Sequence, residues 1–147
     1  MIGQRHVAAL AVLAIAFSSG CAGDGTGLDE FGNPLGPPGL QLAPTLSSIQ
    51  DNVFSAICTR CHTGAAAPLG LALDAGVSRG NLVGVASIEI PELLRVDPGV
   101  PDSSYIVWKI EGRQGIVGGR MPLGLSPLSE DQISAIREWI AEGAQDN

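Results

Sequence analysis

Five consecutive residues, Cys58-Thr59-Arg60-Cys61-His62, constrain this chain of 147 residues more than any other stretch. They gather two of its three cysteines and one of its two histidines. Such a cluster suits a redox dithiol, part of a zinc site, or the covalent attachment of a porphyrin. A thioredoxin-like dithiol needs a strand-helix-strand setting, and the surrounding sequence alternates helical patterns with Gly-rich loops instead. A structural zinc ion needs four ligands. The cluster offers three, and the remaining cysteine and histidine, Cys21 and His6, both lie in a leader, so a carboxylate would have to complete the set.

That leader is "MIGQRHVAALAVLAIAFSSGC", residues 1–21. It has a short basic start at Arg5, an apolar run from Val7 to Phe17, and small residues before Cys21, the pattern of an export signal. The run is too short to span a bilayer, which takes about 20 residues. The segment resembles a bacterial lipoprotein signal, which makes Cys21 a candidate lipid anchor, although Ser18 stands where that pattern prefers Leu. The other outcome is a secreted protein cut nearby or an uncleaved anchor. Residues 22–44 are rich in Gly and Pro and have no apolar period, as expected of a flexible tether with a span of about 25 to 30 Å. The domain is then residues 45–147. Export favours the porphyrin reading, because c-type haem is attached outside the bacterial cytoplasm.

Composition points the same way. Gly and Pro together account for 20 and 10 residues, and aromatic residues for only 4%, so a domain this small has few large side chains to bury. A covalent cofactor would supply the missing core. The formal charge is -7, and becomes -8 if Arg5 leaves with the signal. An acidic surface argues against nucleic acid and for basic partners.

The pattern of the domain is small and all-α. "SSIQDNVFSAICTRCH" carries a possible capping box from Ser47 to Gln50 and apolar residues Ile49, Val53, Phe54 and Ile57 at helical spacing, which sets the cysteines at a helix end. A short helix is expected around Ser78 to Val85. Another is expected in "PDSSYIVWKIEG", capped by Asp102 or Ser103 and closed by Gly112. "GIVGGRMPLGLSPLS" must be a loop. The last helix is the best defined: Ser129 and Gln132 form a capping box, Glu130 and Asp131 occupy its first turn, and Ile133, Ile136 and Ile140 make a stripe beside Trp139 before Gly143 stops it.

Two thiols three residues apart can form thioethers to the two vinyl groups of a porphyrin, and the next residue then lies beneath the iron. Cys58 and Cys61 are thus the candidate attachment residues for one covalent haem c, with His62 the proximal iron ligand. Once the leader is gone, His62 is the only histidine and Met121 the only methionine, so paired histidine ligands are excluded and Met121 is the candidate distal ligand. Lys109, the only lysine, or an open sixth position are the alternatives; Lys109 reads more simply as a solvated ammonium, and Met121 also suits a core gap.

"CTRCH", the later "RMP" and the terminal "LSEDQISAIREWIAEGA", in this order, resemble class I cytochromes c, and in particular single-haem domains of exported bacterial cytochromes. The resemblance covers about Ser47 to Ala144. It implies a cytochrome c-like helical fold around the haem, first and last helices crossing beside it and Met121 on the distal side. It also implies a proline carbonyl that holds the free N–H of the proximal imidazole, with Pro68 the nearest candidate. The segment Leu69 to Pro91 departs from the better-known cytochromes.

The expected function is therefore single-electron transfer between redox partner proteins on the periplasmic side of a bacterial membrane, without catalysis by the chain itself. Arg60, Arg95, Arg113 and Arg120 are candidates to pair haem propionates, and Tyr105 and Trp108 candidates to donate to them. Two other classes compete: a peroxidase-like haem enzyme or gas sensor with an open distal position, and a relay domain docked on a larger oxidoreductase. The first wants a distal acid-base group, and no second histidine is available for it.

Overall fold

In a computed structural model, residues 42–147 are described. The expected signal, the Cys21 anchor and most of the tether lie outside them. Helices dominate the described residues, and β pairing there is limited to three isolated bridges, Val83 with Val96, Ala86 with Leu94, and Leu94 with Ser104. The described residues contain four α-helices: α1 (Leu46–Ile49), α2 (Ser78–Leu82), α3 (Tyr105–Glu111) and α4 (Glu130–Ala141).

The chain enters through Thr45, whose hydroxyl accepts from the Ser48 amide at 3.2 Å and caps α1. The expected capping box is displaced. Gln50 is buried and turned inward, its amide donating to Leu73 O at 2.9 Å and accepting from the Ser78 hydroxyl at 2.6 Å. A buried amide must find such partners, and these tie the first helical segment to the segment that follows the CxxCH cluster. After α1 the backbone widens into a π turn, Gln50–Phe54, and the cysteines fall on a separate 3₁₀ turn, Cys58–Arg60. The path from Leu46 to Arg60 is helical in outline, but its last turn is wound differently from its first.

α4 follows its sequence pattern closely. The Gln132 amide donates to Ser129 Oγ at 3.3 Å and Gln132 Oε1 accepts from the Ser129 amide at 3.0 Å, the reciprocal pair of a capping box. Ile136, Trp139 and Ile140 are fully buried, while Ile133 packs at the edge of the core. They meet Ile49, Val53 and Phe54 from the first segment and Val107 from α3. Leu42 also packs against this cluster, and Ala43 and Pro44 lie beside α4.

The N-cap position of α3 is Ser104 rather than Asp102 or Ser103. Asp102 is spent elsewhere: its carboxylate pairs with Arg113 at 2.7 Å and Arg137 at 2.9 Å, which hold it below the usual carboxylate range. Glu111 pairs with the same two arginines, so a surface network joins the start and end of α3 to α4. Gly112 closes α3 in the left-handed conformation with φ +71, where a Cβ would also come within 2.9 Å of the Arg120 side chain. The short middle helix runs only over Ser78–Leu82, because Val83 is already extended and pairs with Val96.

Candidate cofactor cavity

Between these helices lies an apolar cavity of about 380 Å³, a volume within the ~300 to 1,000 Å³ typical of cofactor sites. Cys58, Cys61, His62 and Met121 all line it. They arrive from two places: the 3₁₀ turn after the first helical segment, and the loop between α3 and α4. Phe54, Leu73, Leu82 and Ile136 form part of its hydrocarbon wall.

Both cysteines are free thiols, Cys61 exposed and Cys58 half-buried. Burial pushes the Cys58 thiol up to about 11, because an apolar wall disfavours the thiolate. That is the opposite of the lowered pKa that makes a redox cysteine reactive.

The imidazole of His62 is held by a backbone carbonyl, but not the expected one. His62 Nδ1 lies 3.1 Å from Leu71 O. Pro68 lines the cavity and its carbonyl accepts from the Leu71 amide at 3.0 Å. The turn at Pro68–Gly70 carries two successive left-handed residues, Leu69 at φ +56 and Gly70 at φ +63, which reverse the chain and bring the Leu71 carbonyl back to the ring. A carbonyl can only accept, so Nδ1–H is the donor here, and in the neutral imidazole this leaves the lone pair on Nε2. The same loop is closed by Leu73 N donating to His62 O at 2.8 Å and by Asp74, whose carboxylate accepts from the Thr63 hydroxyl and the Gly64 amide. Those two donors lower the Asp74 pKa.

Met121 sits in an irregular loop as its glycines and prolines require, packed against the core, with its amide donating to Lys109 O at 2.8 Å. Of the four candidate arginines only Arg60 and Arg95 line the cavity. Arg113 pairs with Asp102 and Glu111, and Arg120 donates to Ile110 O, so both are withdrawn from it. Trp108 donates its indole N–H to Asp102 O outside the cavity. Tyr105 does line it, but its hydroxyl already donates to Glu89 at 2.8 Å.

Arg95 is only 9% exposed. It donates to Asn81 O at 2.8 Å and Leu69 O at 2.7 Å, and among the described residues no carboxylate lies within ion-pair distance of it. Desolvation lowers its pKa. A buried guanidinium with only neutral acceptors, facing an apolar cavity, suits an occupant that brings its own anionic group.

Lys109 corrects the simple picture of a solvated ammonium. It is buried, lines the cavity, and pairs with Glu89 at 3.1 Å. Glu89 and Leu71 were not among the expected site residues. Glu89 had a visible signal, a lone acid between Ile88 and Ile90; Leu71 had none, since it acts through its main chain. Among the described residues, no group of three or more His, Cys, Asp or Glu side chains is placed to hold a metal ion. No family model matches the chain, and no match exists among the curated proteins or the solved structures searched.

Proposed function

We propose that the chain is an exported mono-haem c-type cytochrome that carries single electrons between redox proteins on the periplasmic side of a bacterial membrane, held there by a lipid on Cys21. The observation that carries this proposal is that Cys58, Cys61, His62 and Met121, far apart in sequence as a set, line one apolar cavity of cofactor size. When bound, haem c supplies a one-electron iron couple. The rest is the work of the chain. Cys58 and Cys61 would form the thioethers, and His62 and Met121 would ligate the iron. The Leu71 carbonyl fixes the imidazole tautomer and makes Nε2 the ligand atom, an outer contact of the sort that orients metal-bound histidines. The hydrocarbon wall excludes water and favours the less charged iron state, and the thioether of Met121 acts in the same direction.

Arg95 is assigned to a haem propionate. Arg95→Leu should lower the midpoint potential, since it removes a positive charge from the wall of the cavity. It should also cost about 3 to 5 kcal/mol in denaturant unfolding, as expected when one partner of a buried pair is removed. An unchanged potential would leave Arg95 as a bracket for the Asn81 and Leu69 carbonyls alone.

The electron-carrier role is favoured over an enzyme or sensor by the same cavity. Apart from the two arginines and from Cys58, Cys61 and His62, which the proposal assigns to the cofactor, the titratable groups there are Tyr105, Glu89 and Lys109, and Glu89 already bonds the other two. The assignment is tested by mass spectrometry of the full chain exported from a bacterium that attaches haem. One haem on the peptide that contains Cys58 and Cys61 is expected; an unmodified peptide refutes the proposal.

A further inference from the structure

The loop that carries Met121 has little to hold it in place by itself. Gly118 and Gly119 have no side chains, Val117 is half exposed, and Gly115 and Gly118 take left-handed conformations. Glycine loses more conformational entropy on ordering than other residues, so this arc needs fasteners from outside. Nearly all of them come from one short helix. Lys109 contacts the arc twice: its carbonyl accepts from the Met121 amide at 2.8 Å, and its ammonium donates to Val117 O at 2.7 Å. The Val117 amide donates to the Tyr105 hydroxyl at 3.1 Å, so both main-chain polar groups of Val117 are gripped by α3 side chains. Glu89 completes the arrangement, accepting from Tyr105 at 2.8 Å and from Lys109 at 3.1 Å.

Burying an ammonium is costly unless it is paired and hydrogen-bonded. Lys109 meets both conditions, with the Tyr105 ring 5.9 Å away as a further partner. A leucine would cover the same hydrocarbon without that cost, so plain packing does not account for the only lysine of the chain at this position.

We propose that Lys109 is the positioning residue for Met121: through its carbonyl and its ammonium it clamps both ends of the arc from Val117 to Met121, with Tyr105 and Glu89 holding the clamp. The assignment of Met121 as an iron ligand is the one on which this rests. The clamp itself concerns only contacts within the chain.

The experiment compares wild type with Lys109→Leu, Lys109→Arg and Tyr105→Phe, each as the full exported chain. Amide hydrogen exchange is read at Val117 and Met121, with Val53 and Trp139 as references. Lys109→Leu removes the ammonium's bond to Val117 O and leaves the main-chain acceptor of the Met121 amide in place, so exchange should speed by about tenfold or more at Val117 and by less at Met121, leaving the references unchanged. Lys109→Arg, which keeps a donor, should recover most of the protection. Tyr105→Phe, a substitution that leaves the ring packing intact, should speed Val117 alone. In the ferric protein, Lys109→Leu should weaken the near-infrared sulfur-to-iron band and accelerate carbon monoxide binding in the ferrous protein. Wild-type exchange at Val117 and Met121 in Lys109→Leu overturns the clamp, and a faster arc that keeps the full band overturns its role in placing Met121. A wild-type chain without haem would refute the proposed function, while the exchange rates would still decide whether the clamp exists.

Discussion

A chain in which Cys58, Cys61 and His62 are all replaced by alanine should fail to hold a unique native core. The reason is the size of the cavity relative to the domain. An unfilled cavity in a folded core costs on the order of 24 cal/mol per Å³. For a cavity of about 380 Å³, part of which opens to solvent, that sets an upper limit of about 9 kcal/mol, within the range of the whole stability of an ordinary domain, ~5 to 15 kcal/mol. Few large residues are available to collapse into the space: Trp139 and Phe54 are already fully buried, Phe54 along the cavity wall. The triple variant should therefore keep much of its helical circular dichroism, lose the near-ultraviolet signal of Trp139, and bind apolar dyes, the marks of a compact state without fixed packing. A triple variant that unfolds cooperatively with a native near-ultraviolet spectrum would mean that the cavity is not built around an occupant.

Met121→Leu should remove the sixth ligand while leaving the core almost untouched. Leucine conserves volume well enough that such swaps usually cost less than ~1.5 kcal/mol, and Met121 sits at the edge of the core rather than inside it. If the methionine is only a gap filler, nothing else should change. If it is the ligand, three things should change together: the sulfur-to-iron band disappears, carbon monoxide binds rapidly to the ferrous protein, and the midpoint potential falls by a sizeable part of the ~0.8 V that axial ligands span. Stability and ligation thus separate in a single variant. An intact band in Met121→Leu would show that the sulfur is not at the iron.

The parts of this molecule that could be read from sequence are those whose physics is local. α4 is one case: a capping box, two acids in the first turn and an apolar stripe all lie within its own residues, and the observed helix carries each of them. The same local pattern misled at Ser47 and Gln50. There the spacing of a capping box is present, but burial claims the glutamine for Leu73 and Ser78, residues well downstream, and Thr45 caps the helix instead. Asp102 fails as a cap for a similar reason, since two arginines from α4 and from just beyond α3 compete for its carboxylate.

Within the site, the side chains that would bond the cofactor were legible because their chemistry is rare in this chain: two thiols, one imidazole and one thioether in the domain. What was hidden is the support around them. The carbonyl that holds His62 belongs to Leu71, and main-chain acceptors carry no residue signature. The departure noted over Leu69 to Pro91 is where that support is concentrated: the left-handed turn at Leu69 and Gly70 aims the Leu71 carbonyl, and Glu89 reaches Tyr105 and Lys109. The burial of Lys109 depends on Glu89, twenty residues earlier, and on Val117, eight residues later, so no local pattern could announce it.

The most direct test of the central claim is the absorption spectrum of the purified, exported full-length chain in its ferric and ferrous states. One covalently bound haem with His62 and Met121 as ligands predicts a sharp low-spin ferrous spectrum, a weak near-infrared sulfur-to-iron band in the ferric protein, and slow or absent carbon monoxide binding. A colourless protein, or a haem protein that lacks the band and takes up carbon monoxide at once, would contradict it.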